Sequence, residues 1–240
     1  MGGAITASFG PSRRNKDHRY LDQRAGSASR ATKAMAKRIT ILQGHPEPRG
    51  HHFGQVLADA YTSGARVGGH EIKCIEVAKL DFPLLRSSED FYQGPIPAGT
   101  PPAQEAIRWA DHLVLFYPLW HGHFPALVHA FLEQTFRPGF AVESRKGQMP
   151  KKLFMGKMAR IVVTMGSSAV FSRWYYGAHS LKSLKRNILG FAGISPIRTT
   201  LIGWLGGGAG EPEGAFPTLR STTQLERRLD KLRALGRQGC

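Results

Sequence analysis

The sequence has few cysteines and no long apolar run, and these absences exclude several classes of protein. Its two cysteines, Cys74 and Cys240, match neither a disulfide framework nor a zinc-binding spacing. No apolar stretch approaches the roughly 18 to 20 residues that span a membrane. The N-terminal segment also lacks the apolar core of a secretory signal. The sequence therefore predicts a cytoplasmic protein that is not transmembrane.

Acidic residues are scarce at the N-terminus, where the charge is concentrated. The chain carries a formal net charge of +16, and residues 1–38 hold nine Lys/Arg but only Asp17 and Asp22 as acids. This segment has no apolar period, so we predict that residues 1–36 are a disordered basic extension and that 37–240 form one domain. A targeting peptide, a nucleic-acid-binding arm and a natural start at Met35 are alternative interpretations. We expect no nucleic-acid partner.

From residue 38 onward, apolar runs alternate with amphipathic helical patterns. Apolar runs predict buried strands at 38–44, 111–118 and 157–166. Alternation at 70–80 predicts a strand nearer the sheet edge, and 194–203 predicts the last strand. Helical spacing is found at 53–67, 103–110, 124–136, 177–193 and in a charged segment near the C-terminus. This alternation predicts an α/β fold, a doubly wound five-stranded parallel sheet with helices on both faces.

Three loops that follow predicted strands hold most of the unusual residues. They read "GHPEPRGHHFG" (44–54), "YPLWHGHFP" (117–125) and "TMGSSAVFSRWYYGAH" (164–179). In open parallel sheets the ligand lies at the carboxyl ends of the strands, near the point where the strand order reverses. We therefore expect the three loops to form one ligand site.

The first loop has features of an anion site. A helix begins at Phe53, and a helix N-terminus presents unpaired N–H groups and a positive dipole end. Gly44 and Gly50 permit tight backbone geometry, and His51 and His52 add donors that suit phosphate. The loop matches neither the Walker A pattern nor the dinucleotide fingerprint. The alternative is a rigid surface turn with solvated histidines.

The second loop offers an aromatic wall. Trp120 could present a flat apolar face, and the main-chain N–H groups of residues 119–122 could reach the polar edge of a heteroaromatic ring. A packing role for Trp120 and simple exposure of His121 and His123 are the alternatives.

These motifs together resemble the flavodoxin-like NAD(P)H:quinone oxidoreductase family. That family's pattern runs His-Pro-x-Pro after the first strand, then Phe/Tyr-Pro-Leu followed by Pro-Ala, then Phe-x-Pro-Gly-Phe-Ala. This chain has "GHPEPRGHHF", "YPLWHGHFPALVHAFLEQTFRPGFAV" and "TMGS", so the resemblance covers about residues 38–205. Two extra residues precede Phe53, and His52 and Gly54 replace residues common in the family.

The resemblance implies a bound flavin, FMN or FAD, and assigns residues to it by position. The phosphate side would be held by His45, His52 and Phe53. The isoalloxazine would be lined by Pro118, Leu119, Trp120, His121 and Gly122. A third edge would be formed by Thr164, Met165 and Gly166. The candidates for stabilising charge during hydride transfer are Tyr175, Tyr176 and His179. No metal ligand is implied.

The implied activity is transfer of two electrons from NAD(P)H through the flavin to a quinone or similar acceptor, in ping-pong order. Relatives complete the nicotinamide pocket with a second subunit, so a homodimer is expected, with loops 81–102 and 171–179 available to reach across. The alternatives are a flavodoxin-type electron carrier and a regulatory flavoprotein subunit of a transporter. A metal hydrolase built on His45, His51, His52, His121 and His123 is disfavoured, because those residues lack acidic companions.

Overall fold

The structure is a computed structural model that describes residues 1–2, 35–49, 52–166, 179–203 and 222–240. The chain divides into two units, Met1–Met35 and Ala36–Cys240. The first lies almost wholly outside the described residues, so the disorder of residues 1–36 stays a prediction. In the part that is described, no helix has both the length and the apolar character needed to cross a bilayer.

Five parallel strands form the main sheet in the order β2-β1-β3-β6-β7. Their bounds are Arg38–Gln43 (β1), Glu71–Glu76 (β2), His112–Pro118 (β3), Met158–Thr164 (β6) and Ile197–Ile202 (β7). All five strands were predicted, and the expected position of β2 near the sheet edge is confirmed by the strand order. The strand order reverses direction after β1, and the neighbours β1 and β3 therefore frame the crevice in which such sheets hold a ligand.

Helices connect the strands and cover both faces of the sheet. Those between β1 and β6 are Phe53–Val67 (α1), Ser88–Tyr92 (α2), Pro101–Trp109 (α3) and Ala126–Thr135 (α4). Those after β6 are His179–Ser183 (α5), Gly190–Ala192 (α6) and Thr222–Gln238 (α7), with a π-helical turn at Leu184–Leu189 between α5 and α6. Pro101 and Pro102 open α3, where a missing N–H costs nothing because the first helical N–H groups have no partner in the helix.

The core lies on both faces of the sheet because successive residues of a strand point to opposite sides. In β3, Leu113, Leu115 and Tyr117 join an apolar cluster with α3, α4 and the π-helical turn. Val114 and Phe116 join a second cluster with α1 and α7. A strand buried on both faces reads as a continuous apolar run, which is why "HLVLFYP" was recognisable from sequence.

Several features were missed by the sequence analysis, among them α2 within the expected loop 81–102. The predicted strand 70–80 ends at Glu76, and Val77–Lys79 form a 3₁₀ turn instead. A short antiparallel hairpin pairs Val142–Glu143 (β4) with Lys151–Lys152 (β5). Two-residue strands carry no apolar alternation that a sequence pattern could reveal, and their position is set by the chain around them.

The long segment 81–102 is anchored to its own chain through Arg137. The buried Arg137 guanidinium donates to the carbonyl oxygens of Phe91, Pro95 and Gly94 at 3.0, 3.0 and 2.6 Å, and also to that of Asp90. Gln134 adds a 2.7 Å bond to the Pro83 carbonyl. These bonds fix the turn carbonyls of the segment within its own chain, and the expectation that the segment reaches a second subunit stays a prediction.

Candidate functional site

The candidate site lies where three adjacent strands end. The first two predicted loops leave the sheet after β1 and β3, and the third begins after β6, at the same edge. The Leu119 N–H donates to the Thr164 carbonyl at 2.7 Å, and the Gly44 N–H donates to the Phe116 carbonyl at 2.7 Å. These two bonds hold the starts of all three loops together.

Gly44 is required by close packing at the end of β1. A Cβ at this position would lie 2.7 Å from Val128 Cγ2 and 3.1 Å from the Phe116 carbonyl oxygen. The first loop therefore crosses directly over the start of α4, and a larger residue would push it away from the site.

The structure brings His45, His52 and Trp120 together. The His45 and His52 rings stack with centroids 3.7 Å apart and planes inclined by 18°. Trp120 meets the His45 ring edge-on, at 6.0 Å and 79°. Residues distant in sequence thus converge at one point, whereas Gly50 and His51 lie outside the described residues.

Both histidines have their Nδ1 atoms engaged. His52 is the N-cap of α1, and its Nδ1 accepts the Gln55 N–H at 3.2 Å. His45 Nδ1 accepts the Glu47 N–H at 3.1 Å. A neutral ring that accepts at Nδ1 carries its proton on Nε2, so each ring has one N–H donor left.

The environment keeps both rings neutral. Burial, reinforced by the neighbouring His52, lowers the pKa of His45 to about 4. Burial also lowers the pKa of His52, against the opposing effect of Glu47 and other carboxylates. Both rings are therefore hydrogen-bond donors without a charge at neutral pH, placed beside a helix N-terminus whose first turn contains no acidic residue.

Residues 120–123 form a two-residue hairpin turn that the sequence analysis did not identify. The Trp120 N–H donates to the His123 carbonyl and the His123 N–H to the Trp120 carbonyl, both at 2.8 Å. His121 has φ 48° and Gly122 has φ 77°. Positive φ at both central residues is the signature of a type I′ turn. The His121-Gly122 pair between bulky residues was the sequence feature that could have indicated this turn.

This turn reduces the number of main-chain donors the loop can offer. Of the four N–H groups at 119–122, those of Leu119 and Trp120 are used within the chain. The N–H groups of His121 and Gly122 meet no acceptor among the residues that the structure describes. The expectation of four donors is therefore corrected to two, both at the tip of the turn. Trp120 keeps 36% of its surface exposed beside them.

Ser180 fixes the 120–123 turn by a hydrogen bond from another part of the chain. Its buried hydroxyl donates to the Gly122 carbonyl at 2.7 Å, linking the start of α5 to the tip of the turn. Neighbouring His179 is exposed. Tyr175 and Tyr176 lie outside the described residues. Of the three residues predicted to stabilise charge, only His179 is described, and the residue seen to contact the site loop is Ser180.

The third edge differs in detail from the prediction. Thr164 is buried and pairs with Pro118 at the ends of β6 and β3. The Met165 side chain is buried in the core, and its N–H donates to the Ile202 carbonyl at 3.0 Å. Gly166 is exposed at the sheet edge. Phe53 and Leu119 are partly buried and pack against the apolar clusters.

The histidines do not form a metal site in the described part of the chain. Among those residues, no group of three or more His, Cys, Asp or Glu side chains could hold a metal ion. Cys74 and Cys240 are both free thiols.

Comparison with known proteins finds relatives of similar sequence and structures of similar fold. A Haemophilus influenzae protein named as an uncharacterized NAD(P)H oxidoreductase is 25% identical over 167 residues, 68% of this chain and 82% of that protein. The solved NAD(P)H:quinone oxidoreductase from Methanothermobacter marburgensis is 20% identical with a TM-score of 0.64, covering 84% of this chain and 98% of its own.

A second similar structure is an FMN-dependent NADH-azoreductase from Bacillus anthracis, solved in complex with FMN. It is 12% identical with a TM-score of 0.59, covering 82% of this chain and 97% of its own. At such low identities these two structures support the fold alone.

The family model described as "Flavodoxin-like fold" matches residues 37–221, which is most of the chain. The parallel sheet, its strand order and the helices on both faces agree with that match. The predicted fold class is confirmed, and this chain belongs to the family with the flavodoxin-like fold.

Proposed function

We propose that this protein is a flavin-dependent NAD(P)H oxidoreductase that transfers two electrons from NAD(P)H to a quinone or similar acceptor. The observation that carries the proposal is the convergence of the His45–His52 pair, the exposed Trp120 and two main-chain donors at one end of a flavodoxin-like sheet. The proposal is also supported by the names of the similar proteins, which are an NAD(P)H oxidoreductase, an NAD(P)H:quinone oxidoreductase and an FMN-dependent azoreductase.

The chemistry of the donor set fits a flavin. An isoalloxazine has a flat apolar surface and one polar edge rich in acceptors, and its side chain ends in phosphate. Trp120 supplies an aromatic wall, and the N–H groups of His121 and Gly122 supply two donors aimed out of the turn. His45 and His52 supply Nε2–H donors at the N-terminus of α1. Each part of the ligand thus has a matching part of the site.

The phosphate side would be held by His45, His52 and the N-terminus of α1. Neutral imidazole donors suit this position because their desolvation cost is smaller than that of a buried charge. The N–H groups of Phe53 and Gly54 find no acceptor in the described residues, so the first turn of α1 has donors to offer. The Phe53 side chain packs in the core and would contribute through its backbone.

The ring side would be held by the turn that follows β3. Pro118 and Leu119 set the start of the turn, Trp120 would line the ring, and His121 and Gly122 would donate to it. Thr164 and Gly166 would close the third edge, with Met165 supporting it from the core. Ser180 would keep the turn in the orientation that directs these donors outward.

When bound, a flavin accepts a hydride from NAD(P)H and passes two electrons to the acceptor. The protein's contribution is to bind and orient the ring and to leave one face open for NAD(P)H and acceptor in turn, in ping-pong order. Tyr175, Tyr176 and His179 remain our candidates for stabilising charge beside that face. A homodimer that completes the nicotinamide pocket and a cytoplasmic location, consistent with two free thiols, belong to the same proposal.

The test is reconstitution with flavin followed by turnover. Denatured and refolded protein should bind one FMN or FAD per chain, and the loaded protein should oxidise NADH or NADPH when a water-soluble quinone is present. Lack of stoichiometric flavin would overturn the proposal. Flavin binding without NAD(P)H oxidation would instead favour the electron carrier or the regulatory subunit.

A further inference from the structure

Charge is distributed very unevenly along the second half of the sequence. Between Glu143 and Glu211 there is no acidic residue, while the same stretch contains 11 Lys/Arg. This stretch includes the β4–β5 hairpin after Glu143, β6 and the helices that follow it. It also contains the third site loop, but the proposed flavin chemistry makes no use of the cations on the hairpin.

At its tip, the β4–β5 hairpin exposes cationic side chains together with an apolar one. β4 and β5 pair at Val142 with Lys152 and at Glu143 with Lys151. Arg145 and Lys146 are exposed between the two strands. Met149, in the same loop, is 82% exposed. A methionine so exposed gains nothing from the core of its own chain.

The hairpin continues into a second exposed apolar group at the end of the α5–α6 helical segment. Lys152 Nζ donates to the Gly190 carbonyl at 3.3 Å, and the Phe154 N–H donates to the Ala192 carbonyl at 2.9 Å. These bonds place Met155, 71% exposed, near Phe191, 44% exposed. We call the face formed by Arg145, Lys146, Met149, Lys152, Met155 and Phe191 the basic–apolar surface.

The combination of cationic and apolar side chains indicates which class of partner the surface would bind. Clustered lysine and arginine attract any polyanion, and phosphate contacts alone would account for nucleic-acid binding. Large exposed apolar side chains among the cations have a different use, because they enter the boundary between lipid headgroups and acyl chains. Anionic lipid also attracts nearby cations, at about 1 kcal/mol for each Lys or Arg near the surface.

We propose that the basic–apolar surface docks the protein on anionic phospholipid bilayers as a peripheral protein. Its only acidic neighbour within the hairpin strands, Glu143, is paired with Lys151 at 3.5 Å, so the face carries a net positive charge. The cations of the surface would contact the anionic headgroups of such a bilayer, and its apolar side chains would contact the acyl chains.

Docking in this way leaves the candidate functional site accessible. The hairpin leads through Lys157 into the start of β6 at Met158, whereas the candidate site lies where β6 ends, at Thr164. A strand of seven residues separates the two ends by roughly 20 Å at about 3.3 Å per residue. Binding to lipid and turnover of a water-soluble quinone should therefore be independent.

The test is co-sedimentation of the full chain with vesicles. Vesicles of phosphatidylcholine with a third phosphatidylglycerol should retain the protein, and vesicles of pure phosphatidylcholine should not. Arg145→Gln with Lys146→Gln removes two cations, so the partition coefficient should fall by roughly thirtyfold. Met149→Ser should weaken it several-fold, because it removes apolar area from the lipid contact.

Matched variants on α7 separate a local surface from overall charge. Arg227→Gln with Lys231→Gln removes the same charge from exposed positions on another element, and vesicle binding should stay within about twofold. An equal loss in this control, or no binding to anionic vesicles, would overturn the proposal. Binding to duplex DNA that is tighter than binding to vesicles, and that Met149→Ser leaves unchanged, would overturn the proposal in favour of nucleic acid. A change of oligomeric state in the hairpin variants would overturn it in favour of a second copy of the chain.

Discussion

Two polar clusters in this molecule use main-chain groups in opposite ways. At the turn after β3, the N–H groups of His121 and Gly122 meet no acceptor in the described chain. In the segment 81–102, turn carbonyls converge on the buried Arg137 guanidinium, and each is bonded. The first cluster is open and suits a ligand, while the second is closed and holds the fold. Unusual loop composition alone does not tell these two uses apart.

The largest expected effect is at the closed cluster. Arg137→Leu leaves several buried carbonyls without a donor, so the free energy of unfolding should fall by more than about 3 kcal/mol. Urea unfolding of the apoprotein measures it, and flavin affinity of the folded fraction should be nearly unchanged. Arg108→Leu, at an exposed position, is the control. Unchanged stability of Arg137→Leu would contradict the structural role.

A second effect compares two histidines at different depths. Burial, with Lys37 and Arg160 nearby, lowers the pKa of His112 to about 3. The folded chain stays neutral there while the unfolded chain takes up a proton below pH 6.5, so stability present above pH 6.5 is lost as the pH falls toward 3. At pH 5 the loss from His112 should be about 2 kcal/mol.

The measurement is urea unfolding from pH 7.5 to pH 5. His112→Leu should flatten the pH dependence strongly, and His45→Asn should flatten it less, because His45 is only half-buried. Identical pH dependence in wild type and His112→Leu would show that His112 does not titrate as described.

The third effect is at the open cluster and is specific to ligand binding. Trp120→Ala removes an exposed aromatic wall, and loss of such stacking costs on the order of 1 to 3 kcal/mol. Flavin affinity should fall roughly tenfold or more, with little change in the melting temperature of the apoprotein.

Trp109 provides a matched control for this experiment. It packs under Lys73, whose Nζ lies 4.8 Å from the ring centroid, away from the candidate site. Trp109→Ala should lower the melting temperature and leave the flavin dissociation constant unchanged. The opposite pattern, with Trp120→Ala destabilised and its flavin affinity intact, would remove Trp120 from the site.

The smallest effect concerns the support of the open cluster. Ser180→Ala removes the 2.7 Å bond to the Gly122 carbonyl, and flavin affinity should fall about fivefold, equivalent to about 1 kcal/mol. Ser183→Ala removes a hydroxyl that, in the part of the chain that the structure describes, accepts from Asn187 at 3.4 Å, and flavin affinity should not change. Equal flavin affinity in both variants would show that the turn holds its shape without Ser180.

Much of the fold was predictable because its signals are local. The run "HLVLFYP" is apolar on both sides of β3, and the helical spacing after Phe53 matches α1 at both ends. The placement of His45 and Trp120 in one site also followed from sequence, since loops after parallel strands leave the sheet at a common edge. The turn at 120–123 was missed because positive φ at His121 is uncommon for a residue with a side chain.

The sequence by itself determined the strands, most helices and the edge at which the chemically unusual loops gather, because each depends on the periodicity of residues close in the chain. Only the tertiary structure decided which polar groups stay available. Arg137 donates hydrogen bonds to carbonyls more than forty residues away in the sequence, and Ser180 donates one to Gly122, which is 58 residues away. Such pairings depend on how elements distant in sequence pack together, so the pattern of neighbouring residues does not predict them.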